Sequence, residues 1–211
     1  MEVILVNGSP RPRGCTYTAL EEVATALNAE GINTSIFQVG TDPISGCLAC
    51  RTCATAGKCR FTDCVNDFVD LAEKADGFIF GSPVHYAAAG GAITSFMDRA
   101  FYSDMQAGKR AFYLKPGAAV VSARRAGTTT ALDQLNRFFG IAQMPVISSR
   151  YWNLVHGTKP EDVRKDLEGL QTMRVLGRNM AWFLKCKKAG LDAGVPFPEE
   201  EPSIYTNFIH D

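Results

Sequence analysis

Val3 to Tyr17 reads VILVNGSPRPRGCTY, and the rest of the chain can be placed around this stretch. It opens on an apolar run with no polar alternation, the pattern of a strand buried on both faces, and it closes on a hydroxyl-rich entry to a helical apolar repeat. The loop between them is polar. Gly8 and Gly14 permit tight backbone paths, Ser9, Thr16 and Thr18 supply hydroxyls, and Arg11 and Arg13 supply cationic donors. The unpaired N–H groups of the following helix point into the same space, where its dipole favours negative charge. Together these features describe a phosphate cradle.

Two common phosphate patterns are absent. Gly8 to Gly14 is one residue too wide for G-x-x-x-x-G-K-[ST], and Cys15 stands where that pattern needs lysine. Ser9 and Pro10 break G-x-G-x-x-G. Hydroxyls and arginine in one loop suit a terminal phosphate monoester such as that of FMN.

The remaining sequence bounds the setting. At 211 residues, 46% hydrophobic and 21% charged, it is expected to form one large soluble domain. The 22 basic residues equal the 22 acidic ones, so no long-range field favours nucleic acid or an anionic membrane. No stretch approaches the roughly 18 apolar residues of a membrane span, and the N-terminus does not read as a signal peptide. The expected location is the cytoplasm.

The chain then alternates between strands and helices. Helical spacing runs from Tyr17 to Glu30, ended by Gly31, and strand alternation from Ile32 to Val39. A helix is expected from Asp63 to Ala75, a short buried strand at Asp76 to Phe80, and a helix from Ala92 to Met105. Gly117 to Ala123 reads as a fourth strand, Thr128 to Phe139 as a helix and Met144 to Ser148 as a fifth strand. One last helix is expected from Pro160 to Lys188. Strands separated by helices give a parallel sheet covered on both faces, with ligands beyond the strand C-termini. The loops after Val6, Val39, Phe80, Ala123 and Ser148 should therefore form the site. Residues 1–189 are expected as one domain with a cysteine-loop insertion at 46–64, and residues 190–211 as an irregular tail. Phe197, Tyr205, Phe208 and Ile209 give that tail apolar side chains with which to dock, the other reading being a frayed terminus.

Cys47, Cys50, Cys53 and Cys59 form C-x2-C-x2-C-x5-C. Successive x2 spacings curl one loop around a cubane, each thiolate on a different iron, whereas zinc sites usually pair two separate knuckles. A [4Fe-4S] cluster fits best, with Arg51, Lys58 and Arg60 favouring the anionic sulfurs. Zinc and a cluster-free thiol loop are the alternatives. Cys64 reads as a packed thiol and Cys186 as incidental. Cys15, at a helix N-terminus, is placed where a thiol pKa would tend to fall, although filling the turn is its simpler role.

GSPRPRGCT and, further on, SPVHYAAAGGAITSFMDR resemble the two FMN loops of the flavodoxin-like NAD(P)H-dependent FMN reductases, and the cysteine loop between them resembles that of the iron-sulfur flavoproteins of the same superfamily. Ser122 to Thr128 resembles the third flavin loop. The resemblance covers about residues 1 to 188 and implies a flavodoxin-like doubly wound, five-stranded parallel sheet in the order 2-1-3-4-5. It also implies that Ser9, Arg11, Thr16 and Thr18 hold the FMN phosphate, with Cys15 and Tyr17 also among the cofactor-binding residues. Pro83, Val84, His85 and Tyr86 would line the ribityl chain and ring, and Ala123, Arg124, Gly127 and Thr128 the pyrimidine edge. No acid–base or nucleophilic triad is required, because the cofactors carry the chemistry.

The expected activity is that of an FMN-dependent oxidoreductase of the iron-sulfur flavoprotein type, with NAD(P)H as a candidate co-substrate. A ferredoxin-like donor or small redox substrate would be the partner, and the assembly a homodimer or homotetramer. A cluster-free NAD(P)H-dependent FMN, quinone or azo reductase is one alternative. A flavin-binding sensor switched through its cysteine loop is another.

Overall fold

The computed structural model describes residues 1–206 and 208. Ile209, one of the apolar tail residues, lies outside them. The first strand, β1 (Glu2–Asn7), feeds helix α1 (Cys15–Ala29) and then β2 (Asn33–Gln38). Two helices follow, α2 (Thr52–Ala56) and α3 (Cys64–Ala72). Next come β3 (Gly77–His85), β4 (Ala88–Ala89) and α4 (Gly91–Ala107). The chain continues through β5 (Gly117–Ala123), α5 (Thr128–Ile141) and β6 (Leu154–His156) to α6 (Pro160–Val163) and α7 (Leu167–Asp192).

The sheet runs β2-β1-β3-β5-β6, and β4 adds a two-residue antiparallel partner to the end of β3. Counting only the parallel strands, this is the order 2-1-3-4-5. Register aligns the strand ends: Asn7 pairs with both Gln38 and Gly81, and Ser82 with Val121. The loops leaving these strands therefore emerge along one edge.

The sheet is apolar on both faces because helices cover both. Ile4, Val6, Phe78 and Phe80 enter a core with Phe68, Phe96, Phe112 and Phe139. Their strand neighbours Val3, Leu5 and Ile79 point the other way, against Leu20, Leu27, Met173 and Leu176. Each such fully buried side chain contributes roughly 1.5–3 kcal/mol relative to exposure.

Several elements differ from the sequence expectation, among them helix α2 and strand β4, which it did not include. The fifth parallel strand is Leu154–His156 and not Met144 to Ser148. The earlier segment makes a single bridge, with Gly117 donating to Pro145 and Ile147 donating to Gly117, and then leaves the sheet. Pro145 has no N–H to extend a ladder there. The last helix is two helices, because Asp166 accepts from Gly169 N–H at 2.9 Å and starts α7 afresh. The third strand continues through Ser82 and Pro83 to His85. Beyond Ala193 the tail residues Phe197, Tyr205 and Phe208 are exposed, with Lys187 placed 5.8 Å from the Phe197 ring centre and Arg110 paired with Glu200. Among the described residues no helix is long and apolar enough to cross a membrane.

Candidate functional site

An open cleft of about 510 Å³ lies along the edge where the parallel strands end. It draws residues from the loops after all five of them: Ser9 and Arg11, Thr41 and Asp42, Val84 and His85, Ala123 and Arg124, and Gly157 and Thr158. The expected loops after β1, β2, β3 and β5 all line this cleft. The last contribution comes after His156, where the fifth strand ends, and not after Ser148.

The first loop is held by its own polar side chains. Asn7 Nδ2 donates to Gln38 Oε1 at 2.6 Å and Gln38 Nε2 donates to the Ser9 carbonyl at 2.8 Å. Ser9 N–H donates to Asn7 Oδ1, and Arg11 N–H donates to Ser9 Oγ, both at 3.2 Å. Gly8 sits where the loop crosses between β3 and α4. A Cβ on it would lie 2.5 Å from Ile93 Cβ and 2.8 Å from the Gly81 carbonyl oxygen, so the close approach requires glycine.

Two helices open directly onto the cleft, α1 through Cys15 and Thr16 and α4 through Gly91 and Ala92. Neither has a side-chain cap or an acidic residue in its first turn. The contrast with α3 and α7 is informative. Asp63 and Asp166 cap those two, and acidic residues occupy their first turns. The helix ends at the cleft thus keep unpaired N–H donors and an uncompensated positive dipole, which is what an anionic group needs.

The expected flavin residues divide by position. Ser9, Arg11, Cys15 and Thr16 line the cleft on the first side, Pro83, Val84 and His85 on the second, and Ala123 and Arg124 on the third. Tyr17, Thr18, Tyr86, Gly127 and Thr128 do not. Thr18 is buried and donates to the Gly14 carbonyl at 3.2 Å, bracing the loop from behind. Tyr17 lies under the Arg13 guanidinium, 5.7 Å from the ring centre. Tyr86 is fully exposed at the tip of the β3–β4 hairpin with a φ of 58°. Gly127 and Thr128 start α5 beside Val84, with Gly127 at a φ of 88°. Sequence reasoning assigned no role to Asn7 or Gln38, whose partners lie far along the chain.

Cys15 corrects an expectation. Burial pushes its thiol up, against a smaller downward pull from its own backbone N–H and from Arg11. Its Sγ lies 3.5 Å from the Gly157 carbonyl oxygen, joining the first and last loops of the cleft.

A second, narrow pocket gathers Cys47, Cys50, Cys53 and Cys59 with Arg51, Arg60 and Arg99. The loop that carries them folds through left-handed residues, Ala49 at φ 51° and Arg51 at φ 56°, which turn Ala49 N–H toward Cys47 Sγ at 3.4 Å. Hydrogen bonding by the Thr52 hydroxyl and backbone lowers the Cys50 thiol, while burial raises Cys53. Asn66 clasps Cys59, accepting from its N–H and donating to its carbonyl, both at 3.0 Å. Cys64 lies outside this pocket and its Sγ is 3.6 Å from the Val39 carbonyl oxygen, while Cys186 is exposed on α7. Among the described residues no three His, Cys, Asp or Glu side chains converge tightly enough for a single ion. The four thiols surround one pocket without meeting at one point.

A parallel sheet in this order, with uncapped helix ends facing a cleft at its C-terminal edge, defines the flavodoxin-like class. RosB, solved with bound 8-demethyl-8-formylriboflavin-5'-phosphate, superposes with a TM-score of 0.70 over 99% of this chain and 92% of its own at 14% identity. A flavodoxin from the domain Archaea gives 0.58 over 88% of this chain and 99% of its own at 17% identity. The chain belongs to the NADPH-dependent FMN reductase family, which matches residues 1–159, and it is a flavin-dependent oxidoreductase. It is also 32% identical over 194 residues to an iron-sulfur flavoprotein of Methanocaldococcus jannaschii, covering 89% of this chain and all of that one.

Proposed function

We propose that this chain passes electrons between a reduced donor, ferredoxin or NAD(P)H, and an acceptor, through FMN in the cleft and a [4Fe-4S] cluster on Cys47, Cys50, Cys53 and Cys59. The observation that carries the flavin half is the pair of uncapped helices, α1 and α4, opening on one cleft beside Arg11. Ser9, Arg11, Cys15 and Thr16 hold the phosphate there. Pro83, Val84 and His85 flank the ring, and Ala123 and Arg124 border its pyrimidine edge, where a guanidinium favours the anionic reduced flavin.

The cluster half rests on four thiols arranged around one pocket beside three arginines. A cubane spreads its thiolates over different irons, whereas a single zinc draws them to within about 2.3 Å of one point. Flavin accepts a hydride and releases single electrons, so with a one-electron cluster it couples two-electron donors to one-electron partners. The M. jannaschii relative, named as an iron-sulfur flavoprotein, supports the same reading.

A cluster-free FMN, quinone or azo reductase is the second reading, supported by the exposed position of Cys47 and Cys50. The charge balance supports a small redox substrate or a docked protein donor over nucleic acid. Half-exposed Tyr151 and Trp152 support a homodimer or homotetramer. A cytoplasmic setting follows the abundance of free cysteines.

The test is anaerobic stopped-flow reduction of the FMN-loaded protein by NADPH, NADH and reduced ferredoxin. Bleaching of the flavin by at least one donor, within seconds, is expected. A flavin that none of them reduces would remove the electron-transfer reading.

A further inference from the structure

Arg99 is the largest fully buried side chain of the described protein, 1% exposed, on a helix whose neighbouring Phe96, Met97 and Ala100 are apolar and buried. A guanidinium so placed is costly unless its donors are used. Nη1 donates to Asp63 Oδ2 at 2.6 Å and Nη2 to Asp63 Oδ1 at 2.9 Å. Nη1 also reaches the Ser45 carbonyl at 3.4 Å, and the plane lies 4.6 Å from the Phe61 ring centre. The remaining edge is spent on sulfur: Nε and Nη2 both donate to Cys59 Sγ, each at 3.3 Å.

Docking the cysteine loop on α4 does not require that second edge, because the Asp63 pair already joins the two. A neutral thiol is a weak acceptor and does not repay two donors from a buried cation, whereas a metal-bound thiolate does. Asp63 in turn is fixed by accepting from Val65 N–H at 3.2 Å, so the guanidinium cannot swing away. Cys47 and Cys50 stand exposed, while Cys59 is held by Arg99 at its sulfur and by Asn66 at its backbone.

We infer that Arg99 is a positioning residue that anchors Cys59 and raises the reduction potential of the cluster carried by the cysteine loop. The inference rests on the cluster reading of that loop. A cluster held by these cysteines would gain one negative charge on one-electron reduction, shared with the cysteinyl sulfurs. A fixed cation with two N–H groups on one of those sulfurs stabilises the reduced form more than the oxidised one, and burial strengthens the effect.

The test compares the wild-type chain with Arg99→Lys and with the double variant Arg99→Gln/Asp63→Asn, which removes the buried cation together with its partly buried partner charge and keeps a capping side chain at the α3 start. Each is reconstituted anaerobically with iron, sulfide and FMN. Iron content, FMN content, thermal melting and the cluster midpoint in an EPR-monitored dithionite titration are read for each. The expected result is a cluster at least tenfold harder to reduce in the double variant, a downward shift of about 59 mV for one electron. A smaller downward shift is expected in Arg99→Lys, with the flavin midpoint unchanged in both. Loss of the cluster alone, with FMN and melting retained, supports the anchoring role. Full clusters with unmoved midpoints in both variants overturn the inference, as does joint loss of cluster, FMN and cooperative melting. A wild-type chain that takes up no iron overturns the cluster reading and this inference with it.

Discussion

Thr16 and Ser122 share a hydrogen bond of 2.9 Å between hydroxyls that are 106 residues apart and almost wholly buried. It ties the first turn of α1 to the C-terminal end of β5, so two loops of the cleft are fixed relative to one another. Thr16→Val keeps the shape and leaves Ser122 without its partner. We expect a loss of about 1–3 kcal/mol in urea unfolding. Thr16→Val/Ser122→Ala should recover part of it in a double-mutant cycle.

Gly8→Ala tests the close passage of the loop. Its methyl would meet Ile93 and the Gly81 carbonyl inside any normal contact distance. The expected result is destabilisation of about 1–3 kcal/mol by overpacking. FMN affinity should fall further than stability does, because α4 begins beside this contact; equal affinity in calorimetric titration would contradict that link.

Arg11 is exposed at the cleft rim and unhindered by any ion pair among the described residues. If it meets the phosphate, Arg11→Ala should cost about 1.5–3 kcal/mol, the worth of a charged hydrogen bond, and so roughly tenfold or more in FMN affinity. Riboflavin, without the phosphate, should bind both forms alike. A parallel loss for riboflavin would move Arg11 to the ring.

Asp104 carries the pH dependence. It is buried, which pushes its carboxyl pKa up, and the Ala111 N–H it accepts at 2.8 Å offsets this only in part. A carboxyl raised on folding contributes its stability below the ordinary value of about 3.9 and loses it as pH rises through the folded value. At neutral pH the buried charge is therefore a cost. Asp104→Asn, which can still accept from Ala111, should stabilise the protein at pH 7, and the advantage should shrink on acidification in pH-resolved thermal melts. A stability gain independent of pH would show that the carboxylate is not the source.

The parts of the fold legible from sequence were those with local causes. β1 and β5 announce themselves as unbroken apolar runs because helices cover both sheet faces, and the C-x2-C-x2-C-x5-C loop is visible in spacing alone. The three residues of β6 make no run, and their pairing with Val121 to Ala123 is set by where the chain returns after Asn153. Arg99 stands in the sequence only as the last residue of the SPVHYAAAGGAITSFMDR stretch, and only the folded loop brings Cys59 and Asp63 to it. Asn7 and Gln38 brace the loop after β1 through a bond spanning 31 residues, which no local pattern records. At Cys15 the direction of the shift could be decided only once the depth of the thiol was known.

Anaerobic purification followed by FMN, iron and sulfide assays on one sample of wild type and of Cys50→Ser decides whether both cofactors are bound. We expect one FMN and about four irons per chain in the wild type, the content of a four-cysteine cubane. Cys50→Ser should keep its FMN and lose the cluster, because the two sites use separate loops. Wild-type protein with flavin and no iron would leave a cluster-free reductase, and protein that retains no FMN even when reconstituted would contradict the account at its centre.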